Sequence, residues 1–212
     1  MSLRVYEIFF SLQGEASRVG LPTVFVRLTG CPLRCGYCDT AYAFQGGATL
    51  ELDEILKRVA GYGTRHVTVT GGEPLAQKDS LALLNKLCDA GYDVSLETGG
   101  SLDIGGVDPR VSVILDIKTP GSGEVEKNLW HNLDLLHPKD EVKFVLCGRE
   151  DYDWAKQVLS EHGVAAKCPV LFSPVYGQLA GRDLAEWILA DKLPVRFQLQ
   201  LHKLLWGEEP GR

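Results

Sequence analysis

The sequence lacks the features of a membrane protein and those of a nucleic-acid-binding protein. No apolar run approaches the roughly 20 residues needed to cross a bilayer, and polar or charged residues interrupt the apolar runs of the first fifteen positions. Lys and Arg (22) are outnumbered by Asp and Glu (28), so the formal net charge is -6, which disfavours a surface for nucleic-acid phosphates. We therefore expect a cytoplasmic protein that acts on small molecules or proteins, without nucleic acid or membrane as partners.

The sequence also lacks internal repeats, low-complexity segments and a dividing linker. Its 212 residues are 45% hydrophobic, which suffices for one sizeable core, and we expect a single domain over residues 1–212. Strands are predicted at 23–30, 66–72, 93–100, 112–118, 141–146 and 169–175, and helices at 52–63, 80–91, 151–163 and 181–192. This alternation favours an α/β fold with parallel strands and helical crossovers, either an open sheet or a partial barrel. The last stretch, 196–206, is interpreted as a strand that carries His202.

Polar and glycine residues follow five of the predicted strands. In parallel architectures the reactive groups gather at the carboxyl ends of the strands. The segments in question are 29–31, 70–74, 97–100, 116–123 and 173–175. We expect them to line one shared site.

Three of the six cysteines are clustered in the stretch CPLRCGYC, with the spacing CxxxCxxC. Cys31, Cys35 and Cys38 have no second cysteine pair or HxxxH motif nearby, so a zinc tetrahedron would need a distant fourth ligand. Of the remaining cysteines, Cys88 lies on an apolar helix and is interpreted, like the other two, as a packing residue. In a reducing cytosol, three close thiolates suit a 4Fe-4S cluster in which one iron has no protein ligand.

The cysteine loop and the later TGGEP resemble the radical S-adenosylmethionine (SAM) superfamily. The resemblance implies that Cys31, Cys35 and Cys38 hold a 4Fe-4S cluster whose open iron binds SAM. It also implies SAM contacts at Tyr37, Gly71, Gly72, Glu73, Glu97, Thr98, Gly99, Asp116, Lys118, Ser122, Ser173, Pro174 and Val175. Glycines at positions 71 and 72 agree with this, because they allow a ligand to approach the backbone closely.

Several further segments resemble the 7-carboxy-7-deazaguanine synthase family within that superfamily. They are FFSLQGE, FVRLTGC, CDT, TGGEP, ETGG and LQLHKLLW, which together span nearly the whole chain. This resemblance implies a carbon-nitrogen lyase that contracts the ring of 6-carboxy-5,6,7,8-tetrahydropterin, expels ammonia and serves queuosine biosynthesis. Because the chain has too few strand and helix pairs for eight, we expect an incomplete TIM-like barrel of about six parallel strands.

The same resemblance implies where the substrate and a magnesium ion bind. The implied substrate-binding residues are Leu12, Gln13, Gly14, Glu15, Arg27 and His202. Carboxylate and amide oxygens match the donor edge of a pterin, and a guanidinium matches its carboxylate. Mg2+ is expected at Thr40, since it prefers oxygen ligands and takes few of them from the protein. A capping role for Asp39 or Thr40 at a helix start is the competing interpretation.

The resemblance further implies a homodimer and an external electron donor such as flavodoxin. Two other classes remain open at this point: a glycyl-radical-enzyme activating enzyme, and a non-enzymatic iron-sulfur or zinc module. The sequence leaves undecided the physiological reductant, the need for Mg2+, the fate of the product and the role of the terminal GEEPGR.

Overall fold

The computed structural model describes residues 1–207, 209 and 211. Within this part of the chain, nine strands form one open sheet. In chain order they are β1 (Ser2–Leu12), β2 (Pro22–Leu28), β3 (Ala48–Glu51), β4 (His66–Gly71), β5 (Asp93–Thr98), β6 (Ser112–Ile117), β7 (Glu141–Leu146), β8 (Val170–Pro174) and β9 (Arg196–Phe197). The order across the sheet is β3-β1-β2-β4-β5-β6-β7-β8-β9. Strand β1 is antiparallel to β2 and β3, and all later neighbours are parallel.

Helices connect some of the parallel strands, while other connections are loops. The helices are α1 (Leu52–Ala60), α2 (Ser80–Asp89), α3 (Arg149–His162), α4 (Gly181–Asp191) and α5 (Leu201–Trp206). Helix α2 joins β4 to β5, α3 joins β7 to β8 and α4 joins β8 to β9. A loop connects β5 to β6, and a loop with short 3-10 turns connects β6 to β7. No helix of the described residues is long and apolar enough to cross a membrane.

The two faces of the sheet differ in polarity because successive strand residues point to opposite sides. On one face, residues such as Leu96 and Phe144 pack with the helices into two core clusters, and Leu75 and Val107 contact both clusters. The other face carries alternating polar residues: Thr68, Thr70, Ser95, Glu97, Asp116, Lys143 and Ser173. The apolar face stabilises the fold, and the polar face is available for a site.

The expected incomplete barrel of parallel strands is confirmed. Each of the six strands predicted from 23 to 175 is present as β2 or as one of β4 to β8, and the four predicted helices are α1 to α4. Their ends differ from the predicted ones by no more than about one helical turn. Loops replace two crossovers, as a short chain requires.

Two parts of the sequence-based picture were wrong. The interpretation of 196–206 as one strand is corrected, since β9 has only two residues and His202 lies on helix α5. Leu201, Leu204 and Leu205 have the i, i+3, i+4 spacing of a helix, and this spacing in the sequence already indicates helix rather than strand. The antiparallel strands β1 and β3 were not predicted. In β1 a bulge between Val5 and Glu7 interrupts the alternation that reveals a strand.

Candidate active site

A cavity of about 470 Å3 lies on the polar face, at the carboxyl ends of the strands. Most of the residues that the sequence predicted for the site line it. These are Leu12, Gln13, Gly14, Glu15, Arg27, Cys31, Cys35, Tyr37, Cys38, Thr40, Gly71, Gly72, Glu97, Thr98, Gly99, Asp116, Lys118, Val175 and His202. The prediction that the strand ends share one site therefore agrees with this geometry.

Four predicted SAM contacts lie behind or beside the cavity wall. Glu73 is fully buried and accepts hydrogen bonds from the hydroxyl of Thr98 at 2.9 Å and the amide of Gly99 at 2.7 Å. It thus ties the end of β4 to the end of β5. Ser122 is buried and donates to the carbonyl of Thr119 at 2.6 Å.

The last two of the four belong to strand β8. Ser173 is buried, and its hydroxyl has no hydrogen-bond partner in the described part of the chain. Pro174 lines a neighbouring apolar groove rather than the cavity. A direct contact of these residues with SAM stays a prediction.

The three clustered cysteines occupy the loop after β2 and are free, half-buried thiols. Burial raises the pKa of each thiol, while the nearby ammonium of Lys118 lowers it for all three. Within the described residues, no group of three or more His, Cys, Asp or Glu side chains is arranged to hold a single metal ion. Cys88, Cys147 and Cys168 lie outside the cavity.

Gly72 brings the end of β4 against the cysteine loop. A Cβ atom at this position would lie 2.1 Å from the carbonyl oxygen of Gly30 and 2.9 Å from Cβ of Cys31. The amide of Glu73 donates to the same Gly30 carbonyl at 2.7 Å. Only glycine fits here, so the TGGEP segment and the cysteine loop form one wall.

Glu15 is held at the cavity by two residues that lie far from it in the sequence. Its carboxylate forms an ion pair with Lys143, and it accepts from Nε2 of Gln200 at 2.7 Å. Burial raises the pKa of Glu15, but Lys143, with smaller contributions from His202 and Gln200, lowers it to about 2. Neither Lys143 nor Gln200 was predicted from the sequence.

Gln13 and Glu97 form a second polar pair beside Glu15. Nε2 of Gln13 donates to Oγ1 of Thr68 at 3.1 Å and to Oε1 of Glu97 at 3.2 Å. Glu97 also accepts from the hydroxyl of Thr70 at 2.9 Å. Burial raises the pKa of Glu97, so the cavity holds one carboxyl group with a lowered pKa and one with a raised pKa.

Arg27 reaches the cavity from β2 with one donor already used. Its Nε donates to Glu7 at 2.7 Å, and its guanidinium lies 5.5 Å from the ring centroid of Phe9 and 5.8 Å from that of Tyr42. Among the described residues this is the one hydrogen bond that the side chain of Arg27 makes. The terminal nitrogens therefore remain for a ligand.

The segment around Thr40 and the final helix close the other side. Thr40 precedes a 3-10 helix, Ala41–Phe44, but makes no side-chain capping hydrogen bond to it and instead donates to Asp39 at 2.8 Å. The capping interpretation of Thr40 is therefore wrong. His202 packs on Gly14, where a Cβ would lie 2.0 Å from Nδ1 of the histidine.

The terminal GEEPGR is only partly described. Gly207, Glu209 and Gly211 line the cavity, and residues 208, 210 and 212 lie outside the described residues. The choice between a folded cap and a frayed tail falls largely on those undescribed positions.

Comparisons with known proteins place the chain in a family. A model described as the Radical SAM superfamily matches residues 25–164. A relative from Chlorobaculum tepidum named 7-carboxy-7-deazaguanine synthase is 50% identical over 210 residues, covering 98% of this chain and 96% of the relative. A relative of the same name from Koribacter versatilis is 41% identical over 224 residues, and the match covers 98% of each of the two chains.

A solved structure matches the fold. The crystal structure of QueE from Escherichia coli superposes with a TM-score of 0.78 at 24% identity, over 95% of each chain. The family model begins within β2 and includes the cysteine loop and TGGEP, and the two relatives match nearly end to end. This chain belongs to the 7-carboxy-7-deazaguanine synthase family of the radical SAM superfamily.

Proposed function

We propose that the chain contracts the ring of 6-carboxy-5,6,7,8-tetrahydropterin to give 7-carboxy-7-deazaguanine and ammonia, as a carbon-nitrogen lyase of queuosine biosynthesis. One observation carries this proposal: the cysteine loop opens into the same cavity as Gln13, Glu15, Arg27 and His202. The relatives that match the full chain are named for this product. The alternative, a glycyl-radical-enzyme activating enzyme, is not favoured by any of these relatives.

The residues present fit a 4Fe-4S cluster and SAM, the cofactors of the radical SAM superfamily. Three free thiols on one loop suit a cluster with one open iron. The hydroxyl of Tyr37 and Oδ1 of Asp116 are buried and have no hydrogen-bond partner within the described chain, which suits contact with a polar ligand. When bound, the cluster and SAM supply abstraction of the hydrogen atom from carbon 6 of the pterin.

The remaining residues bind and orient the substrate. Glu15, an anion at neutral pH, accepts hydrogen bonds from the amino and ring N–H groups of the pterin, and Gln13 adds a further amide acceptor. The terminal nitrogens of Arg27 bind the substrate carboxylate, and His202 closes the pocket from above Gly14. Burial by these elements keeps water from the reacting ring.

We further propose the ion, the partners and the location that the family resemblance implies. Mg2+ would be held by Thr40, which lines the cavity, and would help to bind the substrate there. An external donor such as flavodoxin supplies electrons, the chain acts as a homodimer and it works in the cytoplasm. If Mg2+ binds here, Thr40→Val abolishes the stimulation of turnover by added Mg2+.

The test is product formation by the reconstituted protein. After anaerobic iron and sulfide loading, the protein is incubated with SAM, a reductant, Mg2+ and 6-carboxytetrahydropterin, and mass spectrometry follows 7-carboxy-7-deazaguanine. We expect product from wild type and from the control Cys88→Ala, whose cysteine lies on α2 outside the cavity. Cys35→Ala abolishes it. Cleavage of SAM with the pterin left intact contradicts the proposed substrate.

A further inference from the structure

Lys143 is a buried lysine in the middle of a strand. All six residues of β7 are buried, and the neighbours Val142 and Phe144 belong to the core on the helix side of the sheet. Lys143 therefore points to the opposite face, where it lines the cavity. An ammonium group in such a position is unfavourable unless it is paired, so its partners decide what it does.

The main partner of Lys143 is Glu15, and only 11% of each side chain is exposed. Asp116 lies 3.6 Å away and itself pairs with Lys118 at 3.1 Å. The second oxygen of Glu15 is held by Gln200. Each oxygen of Glu15 thus has one protein donor and keeps acceptor capacity for a ligand in the cavity.

The charged and titratable groups around Glu15 come from the sheet and from α5. Lys143 and Glu97 face it from the sheet, Asp116 lies behind Lys143, and His202 faces it from α5. Burial favours the neutral form of Glu15, whereas Lys143, His202 and Gln200 favour the carboxylate. Glu15 in turn raises the pKa of Glu97. Lys143 is the largest of the favourable influences.

We propose that Lys143 is a positioning residue for the substrate, holding Glu15 as an oriented, ionised acceptor for the donor edge of the pterin. This inference rests on the proposed function. It assigns Lys143 a role beyond a structural ion pair, because a structural pair would affect folding but would not make substrate affinity depend on pH. In wild type the carboxylate is ionised throughout the neutral range, so its acceptor capacity is constant.

The experiment measures equilibrium binding of 6-carboxytetrahydropterin to reconstituted, SAM-bound protein without reductant, from about pH 6 to about pH 8.5. Dividing each dissociation constant by that of wild type at the same pH cancels the titration of the substrate. In Lys143→Met, burial raises the pKa of Glu15. We expect the ratio to increase by up to about tenfold for each pH unit below that new pKa.

Three further variants make the result specific. Lys143→Arg, which keeps the charge, is expected to give a ratio that does not change with pH. Lys57→Met on α1 is the control for loss of an exposed lysine, and its ratio stays near one. In Glu15→Gln the side chain at position 15 cannot titrate. The double variant Glu15→Gln/Lys143→Met is therefore expected to show no pH dependence of the ratio.

Two results would overturn the inference. One is a Lys143→Met ratio near one at every pH, and the other is a loss of affinity that is equal at every pH and persists unchanged in the Glu15→Gln background. If Lys143→Met does not fold, Lys143→Gln gives the same test, because glutamine also removes the positive charge but keeps a polar side chain. Failure of wild type to bind or convert the pterin would instead contradict the proposed function. Iron content and thermal unfolding identify folded, loaded variants.

Discussion

At the scale of single residues, the contact between Gly14 and His202 leaves no room for a side chain at position 14. With 2.0 Å between a Cβ at position 14 and Nδ1 of His202, even alanine cannot be accommodated without moving the imidazole. We expect Gly14→Ala to weaken pterin binding by about tenfold, equivalent to ~1.4 kcal/mol, and to leave SAM binding unchanged. Titration of both ligands measures this.

The matched control is Gly148→Ala, because position 148 has extended backbone and nothing lies within 4 Å of a Cβ built there. Its dissociation constants should equal those of wild type. Unaltered pterin affinity in Gly14→Ala would show that His202 is free to move away without cost.

Glu73 illustrates a carboxylate that the protein uses for itself. Its carboxylate accepts hydrogen bonds from Thr98 and from the amides of Leu75 and Gly99. In Glu73→Gln one carboxylate oxygen becomes an NH2 group, which donates and would face one of these donors. We expect the free energy of unfolding to fall by about 1–3 kcal/mol, the cost of a buried unsatisfied polar group. Urea denaturation measures the loss.

Glu54→Gln is the comparison for Glu73→Gln, since it breaks only an exposed pair with Arg58 on α1. That pair is worth about 0.3–0.5 kcal/mol. Equal losses in the two variants would contradict the bridging role assigned to Glu73.

How well the sequence predicts a site residue depends on where its partner lies. The cysteines and glycines were predicted because their motifs are local. Lys143 had a local signal, a lysine inside an otherwise apolar strand, which went unused. Gln200 had none, because its partner Glu15 is 185 positions away in the sequence and no short motif connects the two.

At the scale of elements, α5 is positioned by one backbone hydrogen bond. The amide of Leu201 donates to the carbonyl of Gly14 at 2.9 Å. Leu201 is the first residue of the helix, a position that accepts proline. The preceding Gln200 has extended backbone, which is the conformation that a residue before proline prefers. Leu201→Pro therefore removes this donor while keeping the helix.

We expect Leu201→Pro to weaken pterin binding by about three- to tenfold, because one net hydrogen bond contributes about 0.5–1.5 kcal/mol. Leu201→Ala, which keeps the amide, controls for the lost side chain. Ligand titration of both variants decides the matter. Equal affinities in the proline and alanine variants would contradict an anchoring role for this bond.

Element prediction succeeded where apolar periodicity is regular and failed where tertiary contacts choose the structure. The parallel strands and helices α1 to α4 each present a clean apolar face to the core. Helix α5 has Leu204 and Leu205 exposed, so packing contributes little to it, and its start is fixed by a distant loop. Strand β1 contains a bulge that only pairing with β2 reveals.

At the scale of the whole molecule, the two core clusters are joined rather than separate. Leu75 and Val107 pack against both, and one continuous sheet runs through them. We expect a single cooperative unfolding transition. Leu96→Ala in one cluster and Phe144→Ala in the other should each lower the free energy of unfolding by about 2–5 kcal/mol.

The positions of the tryptophans allow the single unfolding transition to be tested by spectroscopy. All four lie between Trp130 and Trp206, in the second half of the chain, whereas circular dichroism reports on every helix. Coincident denaturation midpoints by fluorescence and circular dichroism, in wild type and in both variants, are expected. Separate midpoints would indicate two units that unfold independently.

The ion pair and hydrogen bonds around Glu15 also set an order of events during synthesis. The cysteine loop leaves the ribosome early, whereas Gln200, Leu201 and His202 emerge among the last residues of this sequence. The nascent chain thus presents its thiols before the segment that covers Gly14 and Glu15 has been translated. The pocket can therefore close only after position 202 has been translated, and a nascent chain stalled before position 200 would lack the segment that covers Gly14 and Glu15.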